Sequence, residues 1–294
     1  MGKKPTEVSL KMIEEHIDRA MTFRPIDDPC GSVFFQDIGC TQLLLREVME
    51  KPDMVIKEMA PQFVLPNLFG RGGQLDVVAF DTASGAYNLE FQTDKEGAVL
   101  DRAFFNYALL SRHLIDKGTE FKDFPCTNIV FVQEDDYFHA NQAMAKVKFV
   151  LDGNPPVALK SKLDIIYVNT NVKDNETMLG KVLHDMRCSS ADEMLVPQFA
   201  CRMEQVKNPK GKEMAFMCEA LALERAEGRA EGRAEGRAEG RAEGRMEMAK
   251  EAAASLFFQG SSYETVFNAF RNVLGKEELL QIQHDAKKDI ERFK

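Results

Sequence analysis

The sequence predicts a mixed α/β domain, then a low-complexity stalk and a C-terminal helical segment. Three observations carry this reading. Short runs rich in branched and aromatic residues, such as Asn128-Ile-Val-Phe-Val-Gln133, alternate with longer amphipathic stretches, the pattern of strands covered by helices. A turn-rich link, Asp81-Thr-Ala-Ser-Gly85, separates two strand-like runs. A five-fold repeat of Arg-Ala-Glu-Gly fills residues 225–244 and differs in composition from everything around it. The chain is 294 residues long and 44% hydrophobic, which is enough to bury a core and excludes disorder throughout.

In chain order, the apolar spacing predicts helices over 36–49 and 54–59 and an extended segment over 63–69. Residues 74–80 and 86–92 are strand candidates on either side of the turn, and 98–117 is a long amphipathic helix. Residues 128–133 read as a buried strand, 147–151 and 163–169 as further strands, and 177–186 as a helix. Beyond the repeat, helices over 246–258 and 263–273 are split by Gln259-Gly-Ser-Ser262, and 276–293 is a third. The division is thus an α/β domain over 1–190, a helical connection over 191–224, the repeat stalk over 225–244 and a helical segment over 245–294.

The repeat has a period of four, close to the 3.6 residues of a helical turn. Ala, Arg and Glu favour a helix, but each Gly costs about 1 kcal/mol relative to Ala. The charges do not offset this. Residues four apart are alike, Arg225 with Arg229 and Glu227 with Glu231, so neither i,i+3 nor i,i+4 attraction is available. A lone helix here is expected to be marginal. The segment then serves either as a solvated spacer or as a stalk for self-association, with a second helix lying in the glycine groove. A homo-oligomer held through the stalk is the expectation.

Several function classes drop out. No apolar run approaches the ~18 residues of a membrane span, and the start, Met-Gly-Lys-Lys-Pro-Thr, lacks the apolar core of a secretory signal. The expectation is a cytoplasmic protein without membrane contact. The cysteines, at 30, 40, 126, 188, 201 and 218, form no C-x-x-C, which argues against zinc ribbons and thioredoxin-type sites and for buried, reduced thiols. A net charge of −9 argues against a broad basic surface. It leaves room for a local basic groove, and carboxylates that bind a metal would contribute to it.

The chemistry concentrates around the turn. A three-residue loop at 82–84 would pair Asp81 with Gly85, and the same register sets Asp76 opposite Glu90. Side chains directly opposite share a face, with Cβ atoms about 5 Å apart. Gln92, two residues beyond Glu90, lies on that face too. Two carboxylates so close repel unless a cation neutralises them, and Mg²⁺ or Mn²⁺ suits hard oxygen ligands. The plainer reading is an acidic pair on a solvated strand face.

Leu75-Asp76-Val77, followed fourteen residues on by Glu90-Phe91-Gln92, resembles the Asp…Glu-x-Lys signature of PD-(D/E)XK nucleases. Gln in place of the Lys is the form of the PD-(D/E)XK nuclease family transposases, the Rpn-like recombination-promoting nucleases. Ile38-Gly-Cys-Thr-Gln-Leu-Leu-Leu45 is similar to that family's first helix, Gly70-Arg71 to its Gly-Arg step, and Arg102 to the Arg of the helix after the active-site strands. Residues 163–169 with Gly180-Lys-Val-Leu-His184-Asp185-Met-Arg-Cys188, and then Met217-Cys218-Glu219, resemble its later segments, so the likeness spans residues 28–224.

The resemblance implies a restriction-endonuclease-like core, a mixed sheet flanked by helices, in an enzyme that cuts DNA with a divalent metal. Asp76, Glu90 and the main-chain carbonyl of Phe91 would hold Mg²⁺ (or Mn²⁺). Gln92 would orient water by hydrogen bonding, since an amide is neither a base nor a charge. Arg102 would lie near the phosphate or anchor Glu90. Lys95, just past the strand, is a weaker candidate for the same site. His184 and Asp185 read as a helix-surface pair at a helix–sheet packing site, and His16, His113, His139 and His284 show no ligand spacing. The rival expectation is a non-catalytic protein of the same fold that acts through DNA binding or self-association.

Overall fold

The computed structural model describes residues 7–65, 73–94 and 97–292. Gly70-Arg71, the end of the extended segment at 66–69, and Lys95 lie outside the described residues. Three helices lead: α1 (Glu7–Met21), α2 (Cys30–Phe34) and α3 (Ile38–Met49). Strands β1 (Ile56–Leu65), β2 (Gly73–Asp81) and β3 (Ala86–Gln92) follow, then helix α4 (Leu100–Leu114) and strand β4 (Thr127–Gln133). Short strands β5 (Met144–Lys146), β6 (Val150–Leu151) and β7 (Val157–Ala158) precede β8 (Leu163–Asn169). The rest is helical: α5 (Met178–Asp185), α6 (Pro197–Val206), α7 (Lys212–Phe258), α8 (Tyr263–Phe270) and α9 (Lys276–Arg292). Two compact units divide the chain, Met1–Ala222 and Leu223–Lys294.

The first unit is built on a six-stranded sheet in the order β1-β2-β3-β4-β8-β5. β1–β2 and β2–β3 pair antiparallel, β3–β4 and β4–β8 pair parallel, and β5 is antiparallel to β8. The parallel strands are covered on both faces, so all seven residues of β4 are buried. One face carries Leu89, Phe91, Val130, Val132, Ile166 and Val168 into the main core, which also takes in Leu44 and Leu45 of α3, Leu183 of α5, Phe199 of α6 and Met217 of α7. The other face presents Ile129, Phe131, Ile165 and Tyr167 to Ala98 and Ala103 around the start of α4. Small residues at 98 and 103 let α4 lie close to the sheet. Asn88, Glu90 and Gln92 alternate onto this second face.

Local chemistry explains most boundaries. Asp37 caps α3 by accepting from the Cys40 N–H at 2.8 Å, and Glu50 ends it in the left-handed region at φ 55°. The helix expected over 54–59 is instead the first half of β1. Lys57, Glu58 and Met59 favour a helix, but Pro61 would stop it within two turns. Pairing with β2 from Ile56↔Asp81 to Leu65↔Gly73 gives the segment a full ladder. Pro61 is tolerated there because β1 is an edge strand. The strand expected over 147–151 is displaced. Met144–Lys146 pairs with β8, and Val150–Leu151 leaves to form a separate ribbon with β7. Helices α1 and α2 add to the sequence-based expectation.

The repeat is helical throughout, inside the 47-residue α7. Apart from the half-buried Arg225, its side chains are exposed, and a Cβ added at Gly228, Gly232, Gly236, Gly240 or Gly244 would meet nothing within 4 Å. Nucleation accounts for the difference from a marginal lone helix. Met214, Met217 and Leu221 are packed in the first unit's core, and Ala249, Ala253 and Phe257 are packed with α8 and α9. The costly first turns are formed on either side of the repeat, and the repeat needs only to propagate them. No described helix is long and apolar enough to cross a membrane.

Candidate functional site

The hairpin that sets the site's register is fixed by one side chain. Asp81 N–H donates to the Gly85 carbonyl at 3.0 Å, closing the three-residue loop, and Ser84 takes the positive φ of 66°. Asp81 Oδ1 accepts from the N–H groups of Ala83 (2.9 Å) and Gly85 (2.6 Å), and its Oδ2 accepts from the Tyr87 hydroxyl at 2.7 Å. A side chain at 85 would run into that same Asp81–Tyr87 contact. The ladder then runs from Phe80↔Ala86 to Val77↔Leu89. One step further Asp76 meets Glu90.

There the backbone ladder gives way to side chains. The Asp76 N–H donates to Glu90 Oε1 at 3.3 Å, and Asp76 Oδ2 accepts from the Phe91 N–H at 3.0 Å. A strand residue directs its N–H and C=O to the same edge, so the Phe91 carbonyl faces the side occupied by Asp76. Glu90 is fully buried. Its Oε2 accepts from Arg102 Nη2 at 2.7 Å and its Oε1 from Asn88 Nδ2 at 2.9 Å. Arg102 Nη1 donates to Gln92 Oε1 (3.1 Å) and to the Gly97 carbonyl (3.2 Å). Asn106, one turn along α4, donates to Asn88 Oδ1 at 3.2 Å. A Cβ at Gly97 would overlap the Gln92 amide, so a residue without one is required where the chain enters α4.

The structure therefore brings Asp76, Glu90, Phe91, Gln92 and Arg102 together. Asn88 and Asn106 belong with them and were not picked out as site residues by the sequence. The signal was present: Asn88 is two residues from Glu90 on the same strand face, and Asn106 is four from Arg102 on the same helix face.

Electrostatics at the site are unbalanced. Burial first, and then the neighbouring Glu90, push the Asp76 carboxyl up to about 7. Burial also raises Glu90, against the opposing pull of Arg102, Asn88 and the Asp76 N–H. Two carboxylates share one guanidinium, and Asp76 Oδ1 has no hydrogen-bond partner among the described residues. The donors on offer are two carboxylates and a carbonyl, all hard oxygens, which fits Mg²⁺ or Mn²⁺. Beside them Gln92 opens onto a cleft of ≈ 690 Å³ that Gln133, Asp94, Asp135, Asp136 and Tyr137 also line. Gln92, Gln133 and Asn169 stand in register at the carboxyl ends of three parallel strands, and all three are buried.

Two expectations elsewhere need correction. The His184–Asp185 pair is not simply on the surface, because Asp185 is fully buried and accepts the N–H groups of Leu195 (2.7 Å) and Val196 (2.8 Å). A carboxylate placed there holds the chain entering α6. The cysteines are all free, but Cys126 and Cys201 are exposed. One lies just before β4 and the other on the outer side of α6, where burial does not reach. Of the remaining histidines, His139 lines the cleft and His113 meets the edge of the Phe63 ring.

Comparison with protein-family models, with curated proteins and with solved structures finds no match for this chain.

Proposed function

We propose that this protein is a Mg²⁺-dependent DNA endonuclease of the recombination-promoting, transposase-like PD-(D/E)XK kind, hydrolysing phosphodiester bonds. The observation that carries the reading is the meeting of Asp76 and Glu90 on one buried sheet face, locked through the Asp76 N–H to Glu90 and the Phe91 N–H to Asp76. Asp76, Glu90 and the Phe91 carbonyl would hold the metal, which when bound supplies Lewis acidity and an acidified water. Gln92 cannot take a proton. Its Oε1 is engaged by Arg102, so its Nε2–H₂ is left to hold a water or phosphate oxygen in place. Arg102 is a positioning residue, gripping Glu90 and Gln92 together. The exposed repeat helix is the surface through which copies would associate.

A second reading has its own observation. Arg102 already neutralises Glu90 at 2.7 Å, as a purely structural ion pair would, and the protein would then be a non-catalytic DNA-binding or self-associating module of nuclease fold. Supercoiled plasmid incubated with Mg²⁺, with EDTA, and with Asp76→Ala separates the two. Metal-dependent nicking that disappears in Asp76→Ala supports the enzyme. Equal nicking by the variant, or none by the parent, defeats it.

A further inference from the structure

We infer that the cavity beside His184 is a second binding site, for the phosphate group of a nucleotide-sized phosphomonoester. This does not depend on the nuclease reading. The cavity measures ≈ 620 Å³, within the range of small-molecule sites. It opens past the end of β8, where the Thr170 N–H (3.0 Å) and hydroxyl (2.9 Å) both donate to the Gln133 carbonyl. Outside the carboxyl ends of parallel strands is where open α/β sheets bind ligands.

The lining is cationic and amidic. Lys173, Arg187, His184, Asn171 and Asn175 face it, and among the described residues no carboxylate lines it. The adjoining cleft, which shares Asn171, has the opposite character: among the described residues it is lined by Asp94, Asp135 and Asp136 and by neither Lys nor Arg. An anion is therefore sorted to one side. Arg187 is held loosely, at 3.4 Å from the Glu134 carbonyl and 3.5 Å from its carboxylate. Arg24 already takes both oxygens of that carboxylate, at 2.6 and 2.9 Å. The Arg187 guanidinium thus keeps donors for a ligand.

His184 is the most deliberately placed group. Its Nδ1 lies 3.0 Å from Asp185 Oδ1. Asp185 accepts two main-chain N–H groups, and its contact with Nδ1, with Cys188 Sγ 3.5 Å from the same atom, holds the ring in place. Nε2 is left with no described partner, a donor when protonated. Atoms of His184, Asp185 and Cys188 also lie within 4.8 Å of one another, as metal ligands would. Both Asp185 oxygens are already engaged, however, and burial pushes the Cys188 thiol up to about 11, so the trio is better suited to fixing the imidazole than to holding an ion.

The test is calorimetric titration of the full-length protein with inorganic phosphate, with a 5′-mononucleotide and with the matching nucleoside. Phosphate and the nucleotide should each bind at one site, the nucleotide more tightly, and the nucleoside should not saturate. Lys173→Ala with Arg187→Ala removes two cations at the surface and should weaken nucleotide binding by about tenfold or more. Asp76→Ala should leave it unchanged, which separates this site from the carboxylate pair. Absence of saturation by roughly 10 mM, equal affinity of the double variant, or Zn²⁺ uptake that His184→Ala abolishes in a protein indifferent to phosphate would each overturn the assignment.

Discussion

The hairpin face around Glu90 and the repeat of α7 both depend on Arg and Glu, yet they use them in opposite ways. At the sheet, one Arg pairs with Glu90, which is completely out of water beside Asp76, and burial and mutual repulsion move Asp76 up to about 7. In the repeat, equal numbers of Arg and Glu stand in solvent, where water and salt screen them to within about 1 kcal/mol per pair. Charge count is the wrong guide to chemistry. Few charges in a dry place are costly to arrange and can be put to work, whereas many charges in water cancel.

Removing Arg102, the cation that reaches Glu90 from α4, should give the largest effect on stability. Arg102→Met keeps the length of the side chain and strands Glu90. Removing one partner of a buried pair costs about 3–5 kcal/mol, and because the Arg102 side chain is 36% exposed the lower end, about 3 kcal/mol, is expected in urea unfolding. Asn88→Ala should add less than its usual cost in that background, because both residues serve the same carboxylate. A change below 1 kcal/mol for Arg102→Met would mean that Glu90 is not ionised in the fold.

Next in size is the pH response of Asp76. Its folded value, about 7, lies above the roughly 3.9 of an unfolded Asp. The fold holds the proton more tightly, so stability from this group is full below pH ~4 and is lost as pH rises to 7 and beyond. Asp76→Asn should flatten that fall, on the order of 2 kcal/mol once partial exposure is discounted. Mg²⁺ added at pH 8 should raise the melting temperature of the parent and leave Asp76→Asn unmoved. An identical Mg²⁺ response in both proteins would remove the metal from this site.

How much of this was legible depends on the distance between the groups involved. The register that sets Asp76 against Glu90 follows from five residues, Asp81 to Gly85, whose turn chemistry is local. Strand β8 is legible to the residue because Ile165-Ile-Tyr-Val168 is a continuous apolar run closed by Asn169. The first half of β1 reads as a helix because its ladder is supplied by β2 and not by its own sequence. The buried role of Asp185 rests on N–H groups ten and eleven residues away, and periodicity carries no trace of that. Asn88 and Asn106 share the faces of Glu90 and Arg102, but neither carries a charge that marks it in the sequence.

The repeat gives the smallest effects and the sharpest contrast. Each glycine there costs the helix about 1 kcal/mol relative to Ala, and a methyl at any of the five meets open space. Gly236→Ala should therefore raise helicity and local hydrogen-exchange protection in the repeat by up to about 1 kcal/mol. It should leave the unfolding of the sheet unit and the pH response of Asp76 untouched. Self-association decides what the glycines are for. If copies pair along the glycine line, the added methyls block close approach, and replacing all five by Ala should lower the oligomer fraction in sedimentation even as each helix becomes more stable. If the repeat is only a spacer, the five-fold variant sediments as the parent does and gains helicity alone. Stability and association then move in opposite directions in one case and separately in the other, which tells a surface kept open for a partner from one that is merely exposed.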